Sequence, residues 1–150
     1  MDVQQWFHER VPDGWFDSAA EVHADRDEIV VIGRLRDGTE PGGFREDTRA
    51  ERMEIAAVAE QRFGRKVSWG VRVGDDRLLF THAAVPVMTR LRFGERGVLD
   101  TLIDAGVARS RSEALAWCVR LVERHQGEWI GQLRDALSHV EQARAAGPDL

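Results

Sequence analysis

A change of hydrophobic period within residues 86–124 constrains the fold more than any other feature of the sequence. Residues 87–93 alternate, and one side of such a strand would carry Val87, Thr89, Leu91 and Phe93. A helical pattern follows at once, with an apolar face of Val98, Leu99, Leu102 and Ile103. Gly106 supplies the left-handed residue that ends a helix, and the run Ser110-Arg111-Ser112-Glu113 is a capping box that begins another. The sequence therefore predicts a strand, a helix and a second, capped helix.

This order of elements resembles the ribbon-helix-helix family of DNA-binding proteins. The resemblance rests on Leu99-Asp100 late in the first helix, on Asp104-Ala105-Gly106 at its end, and on Ser110-Arg111-Ser112-Glu113-Ala114 opening the second. The interval between these runs is the one that the family shows. The sequence departs from the family pattern where Gly94 and Gly97 occupy the first helix and where Glu95-Arg96 replaces an apolar pair.

The resemblance implies a homodimer that reads double-stranded DNA. Two strands, one from each chain, would pair as an antiparallel ribbon that the major groove admits. Their inward faces would pack on the helices, their outward faces would meet base edges, and the start of the second helix would hold a phosphate. The DNA-binding residues that this arrangement implies are Met88, Arg90, Arg92, Arg109, Ser110, Arg111 and Ser112.

The distribution of charge agrees with this assignment. The net charge of −5 argues against indiscriminate binding of nucleic acid. Residues 1–43 hold ten acidic side chains against four arginines, whereas residues 86–126 hold seven arginines against five acidic side chains. The predicted DNA-binding module is thus locally basic, but only by two charges. Binding would depend on a few placed arginines.

The sequence pattern of residues 1–85 predicts a small α+β domain, which precedes the module in residues 86–150. Its predicted elements are a helix over Val3–Arg10, strands over Ala20–Ala24 and Glu28–Leu35, a loop over Asp37–Gly43, a long helix over Phe44–Phe63, and strands over Arg65–Val73 and Arg77–Thr81. The long helix carries Arg45, Arg49 and Arg52 among acidic residues. Phosphate binding is one interpretation of these arginines, and we favour a solvated surface.

An additional helix is predicted over Glu128–Ala143, after the module. Its apolar stripe contains Trp129, Ile130, Leu133, Leu137 and Val140. The core residues of the module are too few to offset the ordering of about forty residues, so a partner chain is expected. The predicted fold class is α+β: a small N-terminal sheet with a long helix, then a ribbon-helix-helix-like module with an extra C-terminal helix.

The sequence shows no motif for catalysis, metal binding or a cofactor. Cys118 is the single cysteine and lies on a helical apolar stripe, the histidines lack zinc-site spacing, and no phosphate-binding loop or nucleophile elbow occurs. No apolar run is long enough to span a membrane, and no secretory signal is visible. We therefore expect a cytoplasmic protein that is not an enzyme and carries no metal or cofactor.

The sequence features are consistent with three functions. The first is a homodimeric transcriptional regulator, with a small-molecule or protein effector at the N-terminal domain. The second is an antitoxin-like scaffold that uses the module only to dimerise and the C-terminal helix to bind a protein. The third, with least support, is an enzyme or ligand-binding protein centred on Trp6, Trp15, Trp69 and His82.

Overall fold

The computed structural model describes residues 2–148. It divides into two compact units, Met1–Val87 and Met88–Leu150. The first unit contains α1 (Val3–Arg10), β1 (Glu21–Ala24), β2 (Glu28–Arg34), α2 (Pro41–Asp47), α3 (Arg49–Phe63), β3 (Lys66–Val73) and β4 (Asp76–Leu79). The second contains α4 (Phe93–Asp104) and α5 (Arg111–Ala146). The mixed α+β class is confirmed, and none of the helices in residues 2–148 combines the length and hydropathy of a membrane span.

The four strands form one mixed sheet in the order β1-β2-β3-β4. The outer pairs are antiparallel, as expected of hairpins, and the central pair β2–β3 is parallel because α2 and α3 form the connection between them. The carboxylate of Asp25 accepts the N–H groups of Asp27 and Glu28, which closes the first hairpin. Both predicted hairpins are confirmed.

The core of the first unit is aromatic. Trp6 and Phe7 of α1 are fully buried, and the core also contains Phe16, Phe44, Phe80 and Trp69. Phe7 meets Trp6 and Trp69 edge to face, whereas Phe44 is tilted against Phe16 and Phe80. Val67, Trp69 and Val71 of β3 all pack in this core, whereas Val73 at the end of the strand is exposed. The N-terminal aromatic pairs therefore build the core of the first unit.

The predicted long helix is wrong in two respects. The helical region begins at Pro41, inside the predicted loop, because proline at the first helical position has the required φ and needs no hydrogen-bond acceptor. It is then interrupted at Thr48, whose φ of −101° and ψ of 0° separate α2 from α3. The hydroxyl of Thr48 donates to the carbonyl oxygen of Phe44, which also accepts the backbone N–H of Thr48, and the sequence did not reveal this side-chain bond.

The second unit is a two-helix module with a small core. Leu99 of α4, Ala108 of the turn and Ala114 of α5 are buried, and Leu91, Leu102, Ile103, Leu115 and Cys118 pack around them. The predicted end of α4 is confirmed, since Ala105 is its C-cap and Gly106 has a φ of +79°. The separate helix predicted over Glu128–Ala143 is confirmed in outline, because Gln126 (φ −124°, ψ 18°) is not helical and divides α5 into two helices, the second of which runs on to Ala146.

Residues 81–92 form neither helix nor strand. The strand predicted over residues 87–93 is therefore not seen in the single chain, where no neighbouring strand is available to it. Phe93 was assigned to that strand, and this was wrong: it is the first residue of α4 and is 85% exposed. The carboxylate of Glu95 accepts the N–H of Arg92, which is the N-cap, and α4 therefore begins at Phe93.

Candidate nucleic-acid interface

The segment before α4 leaves its backbone unpaired. Within the described chain, no backbone or side-chain hydrogen bond involves residues 81–90, all of which are exposed. Val87 is 86% exposed and Met88 is 95% exposed. A segment with an unpaired backbone and exposed apolar side chains can pair with a strand of another chain.

The end of this segment is held on the module by three contacts. Leu91 packs on the core around Leu99, the guanidinium of Arg96 donates to the carbonyl oxygen of Leu91 at 2.7 Å, and Glu95 accepts the N–H of Arg92 at 2.9 Å. These contacts occupy backbone groups of residues 91 and 92. Pairing with another strand would therefore be confined to the residues before Leu91. The two residues that depart from the family pattern, Glu95 and Arg96, thus have a structural role.

The second half of the candidate interface is the start of α5. Ser110 is the N-cap, and its hydroxyl oxygen accepts the N–H of Glu113 at 3.1 Å, as predicted. The carboxylate of Glu113 accepts the N–H of Arg109 at 3.1 Å. The N–H groups of Arg111 and Ser112 lie in the first turn, where no intrahelical acceptor exists, and they remain available to an anion.

Arg111 has a partner that the sequence did not reveal. Its Nε and Nη2 donate to the two carboxylate oxygens of Asp100, both at 2.9 Å, so α5 is joined to α4 by a bidentate ion pair. The hydrogen bonds from Arg111 lower the pKa of the Asp100 carboxyl below its usual value. The Leu99-Asp100 pair of the family pattern thus contributes one core residue and one partner for the arginine at the helix start.

The predicted site residues fall into two exposed groups. Met88, Arg90 and Arg92 lie in the segment before α4, whereas Arg109, Ser110, Arg111 and Ser112 surround the start of α5. Among the ion pairs of residues 2–148, Arg111 is the only one of these arginines to take part. No carboxylate among the described residues pairs with the remaining guanidinium groups, on Arg90, Arg92 and Arg109.

The structure defines a protein of two units, an α+β domain with a mixed four-stranded sheet and a capped two-helix module. Residues 1–43 and 39–79 match the family model described as Rv1265-like protein, N-terminal domain, and residues 92–144 match the one described as Mb1296 C-terminal domain. The chain belongs to this Rv1265-like family.

Relatives in the family share most of the chain. The uncharacterized proteins Mb1296 of Mycobacterium bovis and Rv1265 of Mycobacterium tuberculosis are each 56% identical to it over 158 aligned residues. Each alignment covers 97% of this chain and 70% of the relative. No solved structure gives a significant match. The resemblance to ribbon-helix-helix proteins stays a prediction.

Proposed function

We propose that the protein is a homodimeric, sequence-specific DNA-binding protein, a transcriptional regulator that reads the major groove with a two-stranded ribbon. The observation that carries the proposal is the unpaired segment before α4, because it combines free backbone groups, exposed apolar side chains and uncommitted arginines next to a capped helix pair. Pairing with the same segment of a second chain would give the backbone N–H and C=O groups hydrogen-bond partners and would place Val87 in a shared core.

Within this dimer the two exposed groups of residues have different tasks. Arg90 and Arg92 would meet base edges, where a bidentate arginine distinguishes guanine by about 1–3 kcal/mol. The start of α5 would hold a backbone phosphate through the N–H groups of Arg111 and Ser112 and the guanidinium of Arg109. Arg111 would orient this helix start through its ion pair with Asp100.

The test is selection of bound fragments from random duplex DNA at two salt concentrations. It would be done with the native chain, the double variant Arg90→Ala/Arg92→Ala, and the control Arg120→Ala/Arg124→Ala. The control removes the same charge from exposed positions further along α5. We expect the first variant to lose about tenfold or more in preference for the selected sequence, and the control to keep it. Full sequence preference in the Arg90→Ala/Arg92→Ala variant would refute the proposed ribbon.

A second candidate function, that of a protein-interaction scaffold, is favoured by the far half of α5. Trp129, Leu133, Leu137 and Val140 recur there at helical spacing and are about half exposed or more. Such a stripe suits another protein surface. A dimer that shows no salt-dependent retention of DNA in the selection experiment would favour this function over the first.

A further inference from the structure

A cleft of about 490 Å³ lies in the first unit, beside α2, α3 and β3. Its walls combine three arginines with large apolar side chains, namely Arg45, Arg49, Arg52, Met53, Trp69 and Phe80. From the sequence we expected these arginines to form a solvated surface. This is wrong for Arg52, which is only 7% exposed.

Arg52 is buried without a carboxylate partner. Its Nε donates to the hydroxyl oxygen of Thr48 at 3.0 Å, and its Nη2 donates to the carbonyl oxygen of Arg45 at 2.6 Å. No ion pair in the part of the chain that the structure describes includes it. Burial, and then the like charges of Arg45 and Arg49, lower the pKa of its guanidinium. A buried positive charge whose only hydrogen-bond acceptors are neutral would be stabilised by an anion bound beside it.

A second arginine is held close to the first. The guanidinium carbons of Arg45 and Arg52 lie 5.5 and 4.9 Å from the centre of the Phe80 ring, and Arg45 donates to the carbonyl oxygen of Phe80 at 3.3 Å. The ring therefore keeps two positive charges together, although they repel each other. This arrangement is favourable when a negative charge lies between or beside them.

The charge of the walls indicates the charge of that ligand. Arg45, Arg49 and Arg52 are joined in the lining by Glu46 and Glu60, which leaves one positive charge in excess. Glu60 is engaged, since its carboxylate accepts the backbone N–H of Val67 at 3.2 Å. A ligand with one negative charge would neutralise the cleft, and the apolar walls at Met53 and Phe80 would suit a ring or hydrocarbon part.

We propose that this cleft binds a small organic acid, with a single carboxylate among Arg45, Arg49 and Arg52 and an apolar group against Met53 and Phe80. The proposal does not depend on DNA binding. It assigns a ligand site to the N-terminal unit whatever the second unit does.

The experiment measures thermal stabilisation and calorimetric binding of the full chain with benzoate, phenylpropanoate and octanoate. Acetate tests the carboxylate without the apolar part, and benzamide tests the ring without the charge. At least one of the three acids is expected to raise the unfolding temperature saturably, with acetate and benzamide having little effect at the same concentration. No saturable stabilisation by any of the three acids, or equal stabilisation by acetate or benzamide, would overturn the proposal.

Variants on α3 locate the binding. Arg49 is exposed and makes no hydrogen bond among the described residues, so Arg49→Gln should fold normally, as circular dichroism would verify. We expect it to weaken binding of the acid about tenfold or more, because a charged hydrogen bond is lost. Arg62→Gln removes the same charge from an exposed position of α3 outside the cleft. Equal affinities of the two variants would place the acid elsewhere and contradict the proposed site.

Discussion

Replacing Val87 with serine tests the proposed dimer most directly. In the single chain this side chain is 86% exposed, so it contributes little to the stability of either unit. In the proposed ribbon it would be buried once in each chain. Serine keeps a small side chain but removes the apolar surface, and the substitution should therefore act on association and leave the fold of the monomer intact.

The expected loss in the free energy of dimerisation follows from the exposed apolar area of Val87 that the dimer would bury. Full burial of a valine side chain stabilises by about 1.5–3 kcal/mol. Because the dimer contains two copies of the residue, Val87→Ser should weaken it by about 3–6 kcal/mol. At 1.4 kcal/mol per factor of ten, the dissociation constant of the dimer should rise by about a hundredfold to ten-thousandfold.

The assay is sedimentation velocity over a series of protein concentrations, with circular dichroism to verify the helical content. Val85→Ser is the matched control, because Val85 is also exposed in the same segment but precedes Pro86 and lies outside the proposed ribbon. We expect the control to dimerise as the native chain does. A Val87→Ser protein whose monomer–dimer equilibrium equals that of the control would refute burial of this residue in a shared core.

Two further predictions concern the separate units. Gly33→Ala should destabilise the first unit by about 1–3 kcal/mol in urea unfolding, because a β-carbon there would collide with the buried Phe16 ring, whereas Gly14→Ala has open space and should have little effect. Equal stabilities would contradict the close packing. The lowered pKa of Asp100 means that its ion pair stabilises the fold above the usual aspartate pKa, and that this contribution is lost as the pH falls through the folded-state pKa. The difference in unfolding temperature between the native chain and Asp100→Asn should therefore stay constant from about pH 6 to pH 5 and shrink as the pH falls below about 4, and a difference that remains constant down to pH 3 would argue against the pair.

Local sequence patterns predicted those elements whose cause lies within a few residues. Ser110 caps α5 through the N–H of Glu113, and Gly106 adopts the left-handed conformation after α4, both as their residue types indicate. The strand predicted over Arg65–Val73 is observed as β3, Lys66–Val73. The interruption at Thr48 was missed, because it is a local change of φ and ψ across which the backbone N–H of Thr48 still donates to the carbonyl oxygen of Phe44.

The candidate sites show what such local sequence patterns do not predict. The sequence placed Arg90, Arg92 and Arg109 on exposed elements near the module, since alternation and capping depend only on neighbouring residues. It did not reveal that Arg111 is paired with Asp100, eleven positions earlier, or that Arg52 is buried beside Phe80. These outcomes depend on which elements pack together, and the burial and electrostatic energies that decide them arise only between residues that folding brings into contact. Residue types and their period therefore determine which helices and strands form, whereas tertiary packing decides which charges are paired, buried or left free to bind.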